Sequence, residues 1–343
     1  MKKWHSRKFY IVLLLALLVM GAAFVCNLFF GAVDIPASDV VAILCGDDAS
    51  PVSWRLIVLD ARLPQAVTAM LSGMSLATAG ILLQTLFGNP LAGPEVFGIN
   101  SGAGLGVAVV MLLMQGSFMA GSLTLGGYTA VLAGAFLGAL LVIAIILALS
   151  TWVRSNISLL IAGLAISYLT SAVIALLNYF STAEGVHSYL IWGMGSFSGV
   201  SRGMLPVYSL ILLLILCVAL LMAKPLNALL LGDAYAANLG VRTKRVRGLL
   251  LVLSGLITAV VTAFCGPIAF IGLAVPHFAR LALKSGNHLF LLPTTMLLGG
   301  AVALLCNFVC QLPGDNGLIP LGAVTPLIGA PVILYVVLKE KGT

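Results

Sequence analysis

Ten apolar runs, most of them about twenty residues long, divide this 343-residue chain and constrain its fold more than any motif does. The hydrocarbon core of a bilayer is about 30 Å thick and a helix rises about 1.5 Å per residue, so a helix of about 20 apolar residues crosses it once. The runs cover residues 9–31, 63–87, 96–115, 126–150, 157–178, 203–223, 246–265, 267–284, 289–311 and 322–338. Composition agrees. The chain is 61% hydrophobic and 8% charged, whereas a soluble domain carries about 25% charged residues, so a water-facing surface cannot be tiled from it. These features predict an all-α polytopic membrane protein of about ten transmembrane helices, forming one domain over residues 1–343. The start resembles a secretory leader, with Lys2, Lys3, Arg7 and Lys8 before an apolar run. That run reaches Phe30, long enough to span, and Ala23-Phe24-Val25 is a poor small-residue cleavage site, so it reads as the first span.

The formal charge of +7 raises the question of where the seventeen Lys and Arg residues fall. Ten crossings that begin inside place fourteen of them, Arg154 and Lys341 included, on the cytosolic side and leave Arg55, Arg62 and Arg202 outside. Basic residues collect in cytosolic loops, which puts both termini in the cytosol. The acids Asp34, Asp39, Asp47, Asp48, Asp60, Glu184 and Asp315 fall outside. The basic balance therefore marks orientation in a membrane, not nucleic-acid binding. Six cysteines lie mostly in apolar runs with no C-x-x-C spacing, which argues against a zinc site or a disulfide framework. Cys306 and Cys310 share a helix face and are expected to pack.

Three segments are not spans. The outer loop 32–61 contains Ser38-Asp39 ahead of Val40–Leu44, the pattern of a short capped interfacial helix. Residues 186–200, too short to span, place Tyr189 and Trp192 where a ring can satisfy both membrane and water. The cytosolic stretch 224–247 has apolar residues at helical spacing, is interrupted by Gly232 and Gly240, and ends in a basic run.

Membrane enzymes and ion-coupled carriers use ionisable groups inside the bilayer, and the expected span interiors hold almost none. His5, His187, His277 and His288 are scattered without an H-E-x-x-H pair, so no metal site is expected. His277 and Arg280, toward a helix end, read as snorkelling or capping residues. There is no G-x-x-x-x-G-K-[ST] loop, so any ATP hydrolysis belongs to another polypeptide. Gly98, Gly102 and Gly106 recur every four residues, which serves either close helix packing or the lining of a wide path. Between the second and third runs, Asn89-Pro90-Leu91-Ala92-Gly93-Pro94 breaks the helix and fits either a simple turn or a shaped turn at a pore mouth.

These residues, with several ordered motifs elsewhere, resemble the FecCD-type permease subunits of ATP-binding-cassette importers for iron-siderophores, haem and vitamin B12. The motifs are Arg62-Leu63-Pro64, the Asn89–Pro94 run, Trp192–Ser196, Ala237–Val241, Gly266–His277 and Leu321–Pro331, and they cover nearly the whole length. The resemblance implies a multi-pass protein of the bacterial inner membrane and a homodimer enclosing a central path. It implies two cytosolic ATPase subunits that bind ATP and magnesium, a soluble or lipid-anchored substrate-binding protein outside, no cofactor on this chain, and alternating access as the mechanism. Gly232, Asp233, Ala236, Leu239 and Gly240 match the family's coupling element, with an interfacial helix as the plainer reading. Asn89 and Leu91 match a cytosolic constriction, and Asn156 and Ile157 a second one, with turn and helix-start chemistry as the alternative. Arg62 matches a basic residue that docks the binding protein. Gln65 and Gln311 stand where the pattern has further arginines, and Arg55 or Arg202 would substitute. An iron-siderophore is the favoured cargo. Two rivals, an ion-coupled secondary transporter and a membrane-embedded enzyme, require buried carboxylates, broken-helix repeats or paired catalytic groups, and the sequence offers none of them.

Overall fold

The computed structural model describes residues 2–46, 50–114, 117–120, 123–153, 155–312 and 319–340. Asp47, Asp48, Arg154, Asp315 and Lys341 lie outside the described residues, as does the side chain of Asn156.

The apolar runs become helices because lipid offers no hydrogen bonds, and a helix pairs each backbone group within its own segment. In chain order these are α1 (Lys2–Phe29), α2 (Ala37–Leu44) and α3 (Val52–Leu56), the last continuing through a wider π-turned stretch, Ile57–Arg62, into α4 (Leu63–Phe87). A single 3-10 turn, Pro94–Phe97, leads to α5 (Ile99–Ala108), which widens to Leu113. The strands β1 (Ser117–Ala120) and β2 (Leu123–Gly126) then form an antiparallel hairpin with Ser117 opposite Gly126. After it come α6 (Tyr128–Trp152), α7 (Asn156–Phe180), α8 (Ala183–Gly193), α9 (Leu205–Leu221), α10 (Ala223–Leu229), α11 (Asp233–Asn238), α12 (Thr243–Cys265), α13 (Ile271–Leu283), α14 (His288–Gln311) and α15 (Leu321–Glu340).

Among the described residues, six helices are long and apolar enough to cross a membrane, and α9 with α10 forms a seventh, broken candidate. Three shorter apolar helices, Ile99–Leu113, Ile271–Leu283 and Leu321–Leu334, occupy the remaining expected runs. The expected span 267–284 is the clearest departure: α13 has 13 residues, roughly 20 Å of helix. Its start is delayed because Gly266 and Phe270 both adopt positive φ, 72° and 68°. The expected outer loop 32–61 also needs correction, since helix resumes at Val52. Nor is α2 capped by Ser38-Asp39. It begins behind Pro36, whose carbonyl accepts from Asp39 and Val40 at 3.0 and 3.1 Å. Its buried residues Val40 and Ile43 pack with Ile35 and Val58 in a small core of their own.

The chain forms two compact units, one of residues 1–78, 196–224 and 270–343, the other of residues 79–195 and 225–269. In the first, α1 packs along α14, and α14 along α13 and α15. Gly73 of α4 faces Gly299 of α14 with no room for a Cβ on either. A polar chain also crosses this unit, half-buried at Gln311 and Gln65 and buried at Asn307 and Asn27. The Gln311 side chain donates to Gln65 at 3.3 Å, Gln65 to Asn307 at 3.0 Å, and Asn307 to Asn27 at 2.7 Å. Asn27 then donates to the carbonyls of Ala23 and Leu304, so the amides of Asn27, Asn307 and Gln65 pair with one another, while the buried Gln311 Oε1 accepts from none of them.

In the second unit α5, α6 and α12 form the core. A Cβ on Gly102 would lie 2.7 Å from the Gly138 carbonyl oxygen, and one on Gly134 2.8 Å from that of Gly106. The stripe Gly98–Gly102–Gly106 is thus taken up in close packing. Gly102 and Gly106 meet α6, and Gly98, at φ 72°, meets Gly163 and Ser167 of α7.

Candidate functional site

The stretch 224–247 folds as helix, turn, short helix, turn and helix, each break set by a glycine. Gly232 precedes α11 at φ 95°, and Asp233 opens the helix, where a negative charge is favoured by the free N–H groups. At the other end Gly240 takes φ 84°, its N–H bonds to Ala237 O at 2.9 Å, and the Val241 N–H reaches back to Ala236 O at 3.1 Å. This is a Schellman closure, in which a left-handed glycine satisfies the last carbonyls of a helix. Ala236 is fully buried, whereas Tyr235 and Leu239, four apart and so on one face, are 54% and 58% exposed. The result is a short knob with an apolar face outward.

Arg247, in the first turns of α12, holds this knob in place. Its guanidinium pairs with the Asp233 carboxylate and donates from Nη2 to the Leu86 carbonyl at 3.2 Å. That carbonyl is orphaned by sequence. Its helical partner would be the N–H four residues on, which is Pro90 and has none. Beside the guanidinium lies a cavity of about 840 Å³, lined in part by Leu86, Thr151, Ile157, Asp233, Lys244 and Arg247.

The end of α4 is closed by a second Schellman pair. The Gly88 N–H, at φ 56°, bonds to Thr85 O at 3.3 Å, and the Asn89 N–H to Gln84 O at 3.1 Å. The Asn89 side chain accepts from the Leu91 N–H at 2.9 Å, leaving Leu91 42% exposed. Of the expected gate residues, Ile157 (69% exposed) is on the cavity wall, whereas Asn89 and Leu91 occupy the turn beyond Leu86 and do not line it. Asn156 opens α7.

The three outer arginines are not equivalent. Arg62, expected on a docking surface, is 5% exposed, and its guanidinium donates to the carbonyls of Leu28, Phe29 and Val33, the first two at 3.0 Å. A guanidinium so placed is turned inward, away from the surface on which it was expected. The side chain closes the C-terminal end of α1, and Gly31 is there because a Cβ would press on the guanidinium at 2.9 Å. Arg202 is exposed and pairs with Asp60 at 3.2 Å, while Arg55 is half-buried. Sequence reasoning missed Arg247. Its partners are 14 and 161 residues away, and the only available signal was that Pro90 strips Leu86 of its bond. It also missed that Gln65 and Gln311, noted as separate departures, are hydrogen-bonded to each other.

Residues 15–339 match the FecCD transport family. The chain belongs to that family. Among its relatives, the vitamin B12 import system permease protein BtuC of Klebsiella pneumoniae subsp. pneumoniae is 36% identical over 84% of this chain and 84% of its own. The hemin transport system permease protein HmuU of Yersinia pestis is 33% identical over 97% of this chain and 95% of its own. A solved structure described as an inward-facing conformation of a metal-chelate type ABC transporter superposes with a TM-score of 0.82 at 29% identity, covering 96% of this chain and 99% of the other. FecCD membership agrees with the multi-pass helical fold, and the motifs that carried the resemblance all fall within the matched span.

Proposed function

We propose that this chain is the membrane-spanning permease subunit of an ATP-binding-cassette importer that carries a bulky metal chelate into the bacterial cytosol across the inner membrane. It works as a homodimer, one permease domain per chain, with two cytosolic ATPase subunits and a soluble or lipid-anchored binding protein outside. The observation that carries this reading is the FecCD match over residues 15–339, joined to the exposed face of α11, where Tyr235 and Leu239 offer an apolar knob on the lysine- and arginine-rich side. An isolated apolar knob held at both ends by glycine closures suits a groove on a partner better than it suits water.

ATP and magnesium stay on the ATPase, and this chain holds no cofactor. Closure of the ATPases displaces α11, and the permease pair alternates between outward and inward openings. The turn at Asn89 and Leu91 narrows the cytosolic end, and Asn156 and Ile157 form a second constriction. Outside, Arg202, Asp60 and Arg55 form the surface that receives the binding protein.

The test is uptake into proteoliposomes containing the permease, its ATPase and its binding protein, with radiolabelled ferric siderophore, haemin and cyanocobalamin offered in parallel. The expected outcome is uptake of one chelate class, with ferric siderophore the favoured one, that requires ATP and the binding protein. Uptake driven by an ion gradient without ATP would overturn the reading.

A further inference from the structure

The contacts of Arg247 carry a consequence for how force crosses this molecule. One guanidinium holds two groups that belong to different helices. The Asp233 carboxylate is the first residue of α11, and the Leu86 carbonyl lies one residue before α4 ends and two before the turn that presents Asn89 and Leu91. Both Asp233 and Leu86 line the cavity of about 840 Å³, as does Arg247 itself, so the guanidinium joins them along its wall. The α11 helix has only six residues and is flanked by glycines at φ 95° and 84°, with open space around both, so it can move as a unit. On the other side, Pro90 denies the Leu86 carbonyl its helical partner, leaving that carbonyl to take an outside donor. Arginine suits the task because its planar fork holds two acceptors in fixed relative positions, whereas a lysine is a single point charge.

We infer that Arg247 is the positioning residue that transmits movement of the α11 knob to the turn at Asn89–Leu91. This inference rests on the reading of α11 as the ATPase-coupling element. When an ATPase displaces α11, the Asp233–Arg247–Leu86 link draws the end of α4 with it, and the turn that follows Leu86 shifts.

A nitroxide on Leu91→Cys tests this in the complete transporter, permease with its ATPase in lipid, with the exposed Cys45 and Cys217 replaced by serine. ATP with vanadate, which traps the closed ATPase, is expected to change the line shape of that label when Arg247 is present. No change there would contradict the gate reading itself, separately from the role of Arg247. With R247A the ATPase is expected to remain bound on co-purification while the label's response falls at least fivefold, and R247K is expected to give an intermediate response. If R247A fails to fold, D233N supplies the same test, since it removes the charge from one end of the link and keeps the side-chain shape. An undiminished response in a folded R247A or D233N transporter would overturn the inference. So would loss of the ATPase from both variants, because Arg247 would then serve docking and not transmission.

Discussion

Arg62, expected on a docking surface, is buried at 5% exposure and hydrogen-bonded to backbone carbonyls. Its position after an outer loop suggested a surface cation, but the guanidinium is turned under the end of α1, where the Leu28, Phe29 and Val33 carbonyls have no helical N–H to meet. Removing it strands those carbonyls, so R62A is expected to cost roughly 1–3 kcal/mol and to lower the melting temperature in detergent, with R62K recovering only part. An R62A protein that melts with the unaltered chain would refute the structural role. Nothing in the sequence could place Arg62 against α1, because the partners are about thirty residues away and joined by a loop without a motif. Asn89 is the opposite case. An Asn before Pro90, at the close of an apolar run, signals a turn locally, and the side chain accepts from Leu91 as that chemistry predicts.

Among the elements, legibility follows hydropathy. Runs such as 126–150 and 289–311 became α6 and α14 within a few residues, because lipid burial and helix formation demand the same residues. The extension of α4 back to Val52 was hidden, since Trp54, Arg55, Asp60 and Arg62 interrupt the apolar pattern while a backbone beyond the hydrocarbon can stay helical regardless. The delayed start of α13 was half visible in Gly266-Pro267, but the positive φ of Phe270 was not. The glycines separate into two kinds that substitution can tell apart. Gly106 lies against the Gly134 backbone, so G106L forces α5 and α6 apart and is expected to cost about 1–3 kcal/mol or more, seen as loss of folded protein on size-exclusion chromatography. Gly240 has open space but φ 84°. G240A is therefore expected to leave the fold intact at about 1–2 kcal/mol and to loosen α11. The exposed pair Tyr235 and Leu239 belongs to the same element. Alanine at both is expected to reduce ATPase co-purification by at least tenfold without changing the melting temperature.

At the scale of the whole molecule, the sequence announced a polytopic helical membrane protein through the spacing of its apolar runs, and its ordered motifs pointed to the FecCD family, to which residues 15–339 belong. It was silent on the links between distant segments, such as the amide chain from Gln311 to Asn27 and the Arg247 bridge, because hydrogen bonds across helices leave no periodic trace. The account depends on α11 facing the cytosol and being covered there by a separate motor. The most direct measurement is labelling of Leu239→Cys, in the C45S/C217S background, with a membrane-impermeant maleimide in vesicles of both orientations. The account predicts labelling only in inside-out vesicles stripped of the ATPase, and protection when the ATPase is added back. Labelling from the outer face, or labelling undiminished by the ATPase, would contradict it.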